Sequence, residues 1–376
     1  MVNVAHIITA LGSGGAERML YLVTSRTPEG SGIHHVVYSL ADEGMYGLQL
    51  RQAGVQVHCL GMRSGQLSFS SFMRLVKLLR QQQPDVVMTW LYHADLVGMF
   101  AARLAGIRRI IWNLRCSDFA FSDHPAMTGR IVALLARLSW LPSAIAANSI
   151  AGRHAHEALG YRPRRWIYLP NGFDTDEWKP DAAARAKTRA SLGIADADFL
   201  VGRIGRADPQ KDFATFLEAT RTLATRTPSL RVVLVGHGTQ ELDIPSELRS
   251  RALVLGERRD VPRLMRALDV LVSSSAYGEG LPNVVGEAMA SGVSCVSTDV
   301  GDSAALLADA SVVVPPREPQ ALARAIERLM RSPAVELSAK RESARARIVD
   351  AYSLDRCVSR YAELFRDKFG GSHAHD

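Results

Sequence analysis

Short apolar runs rich in valine and isoleucine recur along the 376-residue chain, each followed by a longer stretch with helical spacing. Such an alternation fits parallel sheets assembled from βαβ units and little else. Seven runs come first: NVAHIIT, HHVVYSL, VQVHCL, DVVMTW, RIIWNLR, AIAANS and RWIYLP, with helix-like patterns over 72–82, 96–105 and 129–140 between some of them. A turn-rich passage, PNGFDTDEWKPDAAA, interrupts the pattern. It then restarts with DFLVGRIGR, RVVLVG, ALVLG, VLVSSS, VSCVSTDV and SVVVPP. The expected fold is α/β with two Rossmann-like, doubly wound domains: 1–178, the acceptor side, and 179–352, the donor side. A terminal helix over 353–369 is placed to cross back to the first domain, and 370–376 reads as a disordered tail. The length agrees, being too great for one ordinary core and suited to two.

Composition removes several classes. With 47% hydrophobic and 22% charged residues and no low-complexity tract, the chain reads as folded throughout. No apolar run approaches the roughly 20 residues that span a bilayer, and the first residues carry no basic leader. The expected location is the cytoplasm, with peripheral contact to the inner membrane as a further reading. Cys59, Cys116, Cys295 and Cys357 lie far apart without CxxC spacing and read as free thiols. The net charge of +7 is concentrated, since residues 1–180 hold 18 Lys and Arg against 12 Asp and Glu, or +6. That asymmetry favours an anionic partner, either a phosphorylated substrate or an acidic membrane face. Nucleic acid is the weaker reading, because the basic residues are scattered among helices and not interleaved with exposed aromatics. The basic and apolar segment GRIVALLARLSW, 129–140, reads either as a helix lying on an anionic membrane or as an ordinary buried helix with two exposed arginines.

Ligands of open α/β sheets bind beyond the carboxyl ends of the strands, so the residues just after each run are the candidates. The first domain offers Gly14, Gly15, His93, Arg115 and Asn148 with Ser149, and the second offers Arg206, Lys211, Gly236, Arg258 and Glu279, then Asp299 with Gly301. GSGGAER, 12–18, suits an anion, because glycine allows close approach of N–H groups and the helix beginning near Ala16 adds its dipole. Alone it is equally a plain tight turn, and Glu17 stands where a dinucleotide fingerprint needs its last glycine. RADPQK places Arg206 and Lys211 as two cations able to neutralise a diphosphate leaving group. EGLPNVVGE is the strongest local signal: Glu279 in a loop and Glu287 on the following helix bring two carboxylates to one strand end. Pro282 fits the first helical turn, which leaves the N–H groups around Gly280, Leu281 and Asn283 facing a ligand.

With GSGGAER, WLYHAD, LPNGFD, GRADPQKDF, LGERRDVP, EGLPNVVGEAMASG and TDVG in this order over nearly its whole length, the chain resembles the retaining group 1 (family 4) glycosyltransferases of the GT-B fold. The resemblance implies two domains facing across a cleft and transfer of a sugar from a UDP- or GDP-type donor to a glycan or glycolipid hydroxyl, in cell-surface polysaccharide or lipopolysaccharide synthesis. It implies no cofactor and no metal. By the same resemblance Gly14 and Gly15 meet the donor diphosphate and the acceptor side, Arg206 and Lys211 hold the diphosphate, Glu279 with the Gly280 and Leu281 amides contacts the sugar, Glu287 contacts the ribose, and His93 stands near the reacting centre. The leaving phosphate itself takes the acceptor proton on the same face. Asp302 and Ser303 replace the usual glycine and glutamate after TDVG, and Arg115 replaces a frequent histidine.

Two other classes compete. An NAD-dependent oxidoreductase would use the same domains but lacks its fingerprint here, and a non-catalytic sugar-nucleotide binding protein would keep the same cations and acids; an epimerase is a variant of the same fold. The two DxD strings, 174–176 and 196–198, fall in turns where aspartate commonly bends the chain, so they are not read as metal ligands.

Overall fold

The computed structural model of the protein describes residues 1–63, 68–115 and 126–367. The chain divides into two compact units, unit 1 comprising residues 1–172 and 354–376 and unit 2 residues 173–353. Both are parallel α/β structures, as the alternation predicts. The expected boundary at 178 falls six residues late, and the reason is packing. Phe173 and Trp178 sit in a passage whose Pro, Gly and Asp content reads as linker, yet both are buried in the core of unit 2.

Unit 1 contains a seven-stranded sheet built from β1 (Val2–Ile8), β2 (Ile33–Ser39), β3 (Gln56–Cys59), β4 (Val86–Trp90), β5 (Ile110–Leu114), β6 (Ala144–Ala147) and β7 (Trp166–Tyr168). Their order, β3-β2-β1-β4-β5-β6-β7, reverses between β1 and β4. Helices α1 (Gly15–Ser25) and α2 (Gly44–Gln52) cover one face; α3 (Phe69–Gln82), α4 (Tyr92–Leu104) and α5 (Ala126–Leu138) cover the other. The central strands read as continuous apolar runs because both faces are covered. α6 (Ile150–Ala158) follows β6, with Ser149 accepting a hydrogen bond from the Gly152 amide as its N-cap.

One buried polar chain crosses the first face. The indole Nε1–H of Trp90 can only donate, so its bond to His6 Nδ1 fixes that ring's tautomer. His6 Nε2–H then donates to His35 Nδ1 at 2.9 Å, His35 Nε2–H donates to Thr27 Oγ1 at 3.0 Å, and Thr27 donates to the Val23 carbonyl.

Unit 2 opens with α7 (Ala182–Ser191) and holds a six-stranded sheet of β8 (Phe199–Ile204), β9 (Leu230–Val235), β10 (Ala252–Gly256), β11 (Val270–Ser273), β12 (Ser294–Thr298) and β13 (Val313–Val314). The order β10-β9-β8-β11-β12-β13 reverses between β8 and β11, where Val201 lies opposite Val270. Helices α8 (Phe213–Ala224), α9 (Val261–Ala267), α10 (Asn283–Ala290), α11 (Ser303–Leu307), α12 (Pro319–Arg331) and α13 (Ala334–Tyr352) complete it.

The terminal helix α14 (Leu354–Arg366) belongs to unit 1. Its Cys357, Tyr361, Leu364 and Phe365 enter the core beneath α1, and the Tyr361 ring stacks on Trp90. Cys59, Cys295 and Cys357 are free thiols, the last two buried. Cys116 and the tail 370–376 lie outside the described residues.

Candidate active site

The reversal points of the two sheets put four loops in functional position, one pair in each unit. In unit 2 the loop after β8 runs from Gly205 to Asp212 and the loop after β11 from Ser274 to Pro282. Because β8 and β11 are neighbours, these loops meet. Lys211 Nζ reaches Glu279 Oε1 at 2.5 Å, and Ser275 Oγ donates to the same oxygen at 2.7 Å. Both partners are mostly buried, with side chains 21% and 12% exposed, so the pair is shielded from salt and solvent. Burial pushes the Glu279 carboxyl up, but the Lys211 ammonium, the two hydrogen bonds and the nearby Arg203 together hold it below the usual glutamate value.

Arg203 is a residue that the reading of strand ends passed over. It lies inside β8, is 1% exposed, and spreads its guanidinium over the Phe213 ring at 5.0 Å. Nε donates to Ser274 Oγ at 3.1 Å, Nη1 to the Ile204 carbonyl at 3.0 Å and Nη2 to the Lys211 carbonyl at 2.6 Å. Burial pushes it down to about 10, against the pull of Glu279, Asp208 and Asp212, which leaves it charged at neutral pH. An arginine in the middle of the apolar run FLVGRI was the available signal.

The other expected residues of unit 2 are placed as follows. Arg206 is exposed and paired with Asp208 at 3.3 Å. Arg258 makes a bidentate pair with Asp260, both bonds 2.8 Å. Gly280 and Leu281 are buried just before α10, and Pro282 is its N-cap residue, so the helix begins at Asn283, one residue later than expected. Glu287 lies in the middle of α10, 7% exposed. Gly236 has φ 139, and a β-carbon there would stand 1.9 Å from the Gly205 carbonyl oxygen, so only glycine lets the loops after β8 and β9 touch. Gly301, with φ 63, is in the same position against the Glu279 and Gly280 carbonyls, at 2.4 and 2.3 Å. The Asp302 amide donates to the Gly280 carbonyl at 2.9 Å, a backbone bond that braces the acidic loop whatever side chain stands at 302. Asp299, at the end of β12, bonds its amide to the Val314 carbonyl.

In unit 1 Gly14 is the N-cap of α1 and Gly15 its first residue, with no side-chain cap. Leu91 precedes α4 with φ 73 and ψ 150, a conformation that costs a non-glycine residue about 1–3 kcal/mol. It turns the chain so that His93 enters the first helical turn and lines a cavity of about 470 Å³ together with Thr9, Ala41, Met62 and Arg130. Burial lowers the His93 imidazole, keeping it neutral near pH 7. Arg115 is engaged elsewhere: Nη2 donates to Asn171 Oδ1 at 2.5 Å and Nη1 to Tyr361 at 3.3 Å, and its guanidinium lies over Trp90. Asn148 is buried, its amide bonded to the Leu114 carbonyl. Both DxD strings serve turns, as Asp174 Oδ1 accepts the amides of Asp176 and Glu177 and Asp198 Oδ2 accepts that of Ala195. Among the described residues no group of three His, Cys, Asp or Glu could hold a metal ion.

Two Rossmann-like units, each with its polar loops at the sheet reversal and one with a cation–carboxylate pair there, fit the GT-B class of sugar-transferring enzymes. Two family profiles match almost end to end, "Glycosyltransferase Family 4" over residues 13–177 and "Glycosyl transferases group 1" over 198–332. The chain belongs to the group 1, family 4 glycosyltransferases. Among proteins it is similar to is the UDP-Gal:alpha-D-GlcNAc-diphosphoundecaprenol alpha-1,3-galactosyltransferase of Escherichia coli, 24% identical over 79% of each chain. The D-inositol 3-phosphate glycosyltransferase of Salinispora arenicola is 29% identical over 75% of this chain and 68% of its own. Among solved structures, Anabaena HepE in complex with UDP superposes with a TM-score of 0.82 at 25% identity, over 96% of this chain and 99% of that one. Its complex with UDP-glucose gives 0.79, also at 25% identity, over 97% and 99%.

Proposed function

We propose that this glycosyltransferase moves a sugar from a UDP-sugar donor to a hydroxyl of a glycan or glycolipid acceptor, with retention of anomeric configuration and without a metal ion. The observation that carries the reading is the Lys211–Glu279 pair at the reversal point of unit 2. As the nucleotide diphosphate departs, negative charge grows on its β-phosphate while the sugar becomes oxocarbenium-like. Lys211, and Arg206 once it leaves Asp208, supply the positive charge that a magnesium ion would otherwise bring. Glu279, held ionised by Lys211, Ser275 and Arg203, accepts hydrogen bonds from sugar hydroxyls. The amides of Gly280, Leu281 and Asn283 face the same ligand at the start of α10, Glu287 takes the ribose, and Gly236 and Arg258 line the nucleotide. In unit 1 Gly14, Gly15 and Asn148 serve the acceptor side, and His93 takes the role near the reacting centre that family resemblance gives it. The leaving phosphate takes the acceptor proton on the same face, so no protein base is required.

The uracil donor is favoured over guanine by the names of two relatives, one a UDP-Gal enzyme and one solved with UDP and UDP-glucose. Thermal shift against UDP, GDP and their sugars tests the donor, with UDP expected to stabilise the protein. Turnover in EDTA and the product's anomeric configuration by NMR test the rest. Strict magnesium dependence or an inverted product would overturn those two points, and donor binding without any transfer or hydrolysis would leave only a binding protein.

A further inference from the structure

We propose that Asp95 is a positioning residue for His93: bonded to Thr89, it clamps the strained turn between β4 and α4 from which His93 is presented. The inference rests on the role given to His93 above and adds what keeps that side chain in place. At Gly205, Gly236 and Gly301 the loops of unit 2 meet positive φ with glycine. Unit 1 meets it here with leucine, since Leu91, at φ 73 and ψ 150, occupies a region that is essentially glycine's alone. Such a conformation persists only where its surroundings over-determine it.

Three ties surround Leu91. Before it, the Trp90 indole donates to His6 and its ring stacks on Tyr361, 6.0 Å between centroids. After it, the Tyr92 hydroxyl donates to His156 Nε2 at 2.8 Å, because the other ring nitrogen, Nδ1–H, is taken up by the Gly152 carbonyl. Across it runs Asp95. Its amide donates to the Leu91 carbonyl at 2.9 Å and its Oδ1 accepts from Thr89 Oγ1 at 2.5 Å, so one residue holds both the strained peptide and the strand that leads into it. His93 lies midway between Leu91 and Asp95, inside the ring that these bonds close.

Thr89 and Asp95 are both completely buried. A carboxyl there is costly: burial pushes it well above the usual aspartate range, the Thr89 bond being the smaller and opposing pull, and Oδ2 has no hydrogen-bond partner among the described residues. A residue serving packing alone would do better as an apolar side chain of similar size. The packing is instead fitted to the bond. Gly98, one turn further along α4, faces Thr89, and a β-carbon there would stand 2.7 Å from Thr89 Cγ2. Glycine is unfavourable in mid-helix, yet here it leaves the room that the threonine needs to reach Asp95.

The test compares Thr89→Val, which keeps the shape of the side chain and removes its donor, with Thr89→Ser, which keeps the donor. With histidine Cε1 labelled, and the His93 signal identified by its loss in His93→Ala, NMR of the full chain reads the surroundings of that ring directly. The signal should shift in Thr89→Val and stay near its native place in Thr89→Ser. Release of UDP from UDP-glucose or UDP-galactose, whichever the unaltered chain turns over, should fall roughly tenfold or more in kcat in Thr89→Val with the donor KM unchanged, because misplacing a group at the reacting centre costs rate more than binding. In a His93→Ala background Thr89→Val should have little further effect, since it acts through that histidine. An unmoved His93 signal, an equal loss of turnover in Thr89→Ser, or full additivity with His93→Ala would overturn the proposal. The melting temperature and its rise with UDP show that each variant is folded. If Thr89→Val does not fold, the same signal in Asp95→Asn, which keeps an oxygen acceptor, against Asp95→Ala decides. A shifted signal together with full turnover in His93→Ala would sink the role given to His93 and leave the clamp standing.

Discussion

Arg203 Nη2 donates to the Lys211 carbonyl at 2.6 Å, so a buried cation fixes the backbone of the residue whose own ammonium reaches Glu279. The same guanidinium bonds Ser274, whose hydroxyl also donates to the Lys211 and Asp212 carbonyls. Strand β8 thus sets the position of the loop that follows it by a side chain, in addition to the main chain. Arg203→Met keeps most of the volume and removes the donors. It should cost about 1–3 kcal/mol in urea unfolding, from the loss of buried hydrogen bonds made by a charged donor. Turnover should fall further than that loss of folded protein explains, and unchanged kcat would reject the positioning role.

Lys211→Ala and Glu279→Ala should each lower kcat/KM by on the order of a hundredfold or more. In the lysine variant the burial that pushes Glu279 up is no longer opposed by its ammonium. For the unaltered chain the folded carboxyl lies below its usual value of 4.5, so its contribution to stability is present above that pH and is lost as pH falls through the folded value. The acid limb of the pH–rate profile should therefore move to higher pH in Lys211→Ala. An unmoved limb would show that the pair does not set the ionisation of Glu279.

The His6–His35 pair predicts acid sensitivity of unit 1. Burial lowers both imidazoles, His35 to about 4 from 6.5, with a smaller push from His34 on His35 and from His35 on His6. Both are neutral when folded, whereas the unfolded chain takes up protons below about 6.5. Stability is therefore full above that pH and falls as pH drops towards 4, by about 1.4 kcal/mol per pH unit for each histidine that titrates only when unfolded. Denaturant midpoints between pH 7 and 5 measure the slope. His35→Gln should flatten it, and an equal slope in the variant would place the acid sensitivity elsewhere.

Gly301→Ala is expected to displace the acidic loop. Its β-carbon would stand 2.3 Å from the Gly280 carbonyl oxygen, and its φ of 63 is one that alanine adopts only under strain. The Glu279–Gly280 segment must shift. Loss of donor turnover with a melting temperature lowered by several degrees is the expected result, and normal KM for the donor would contradict it.

Much of this was legible in the sequence. All thirteen runs became strands, because a strand buried on both faces must be apolar throughout and the helices between them announce the crossovers. Lys211 and Glu279 could be named because each follows a strand at a sheet reversal. Their direct bond could not, since sequence order places them 68 residues apart and only the adjacency of β8 and β11 joins them. Arg206 read as the equal of Lys211 because spacing carries no information about burial; Arg206 is exposed and pairs with Asp208, two residues on. Arg203 went unseen for the converse reason, being a charge inside a strand where apolar pattern was the guide. The helix 129–140 was legible, but the face it shares with α3 and α4 required the fold.

Residues 354–366 lie in the core of unit 1 although all of unit 2 precedes them in the chain. During synthesis unit 2 is complete while unit 1 still lacks the helix whose Phe365 and Tyr361 cover His6 and Trp90. A ribosome that stops after residue 353 would release a finished unit 2 tethered to an unfinished unit 1.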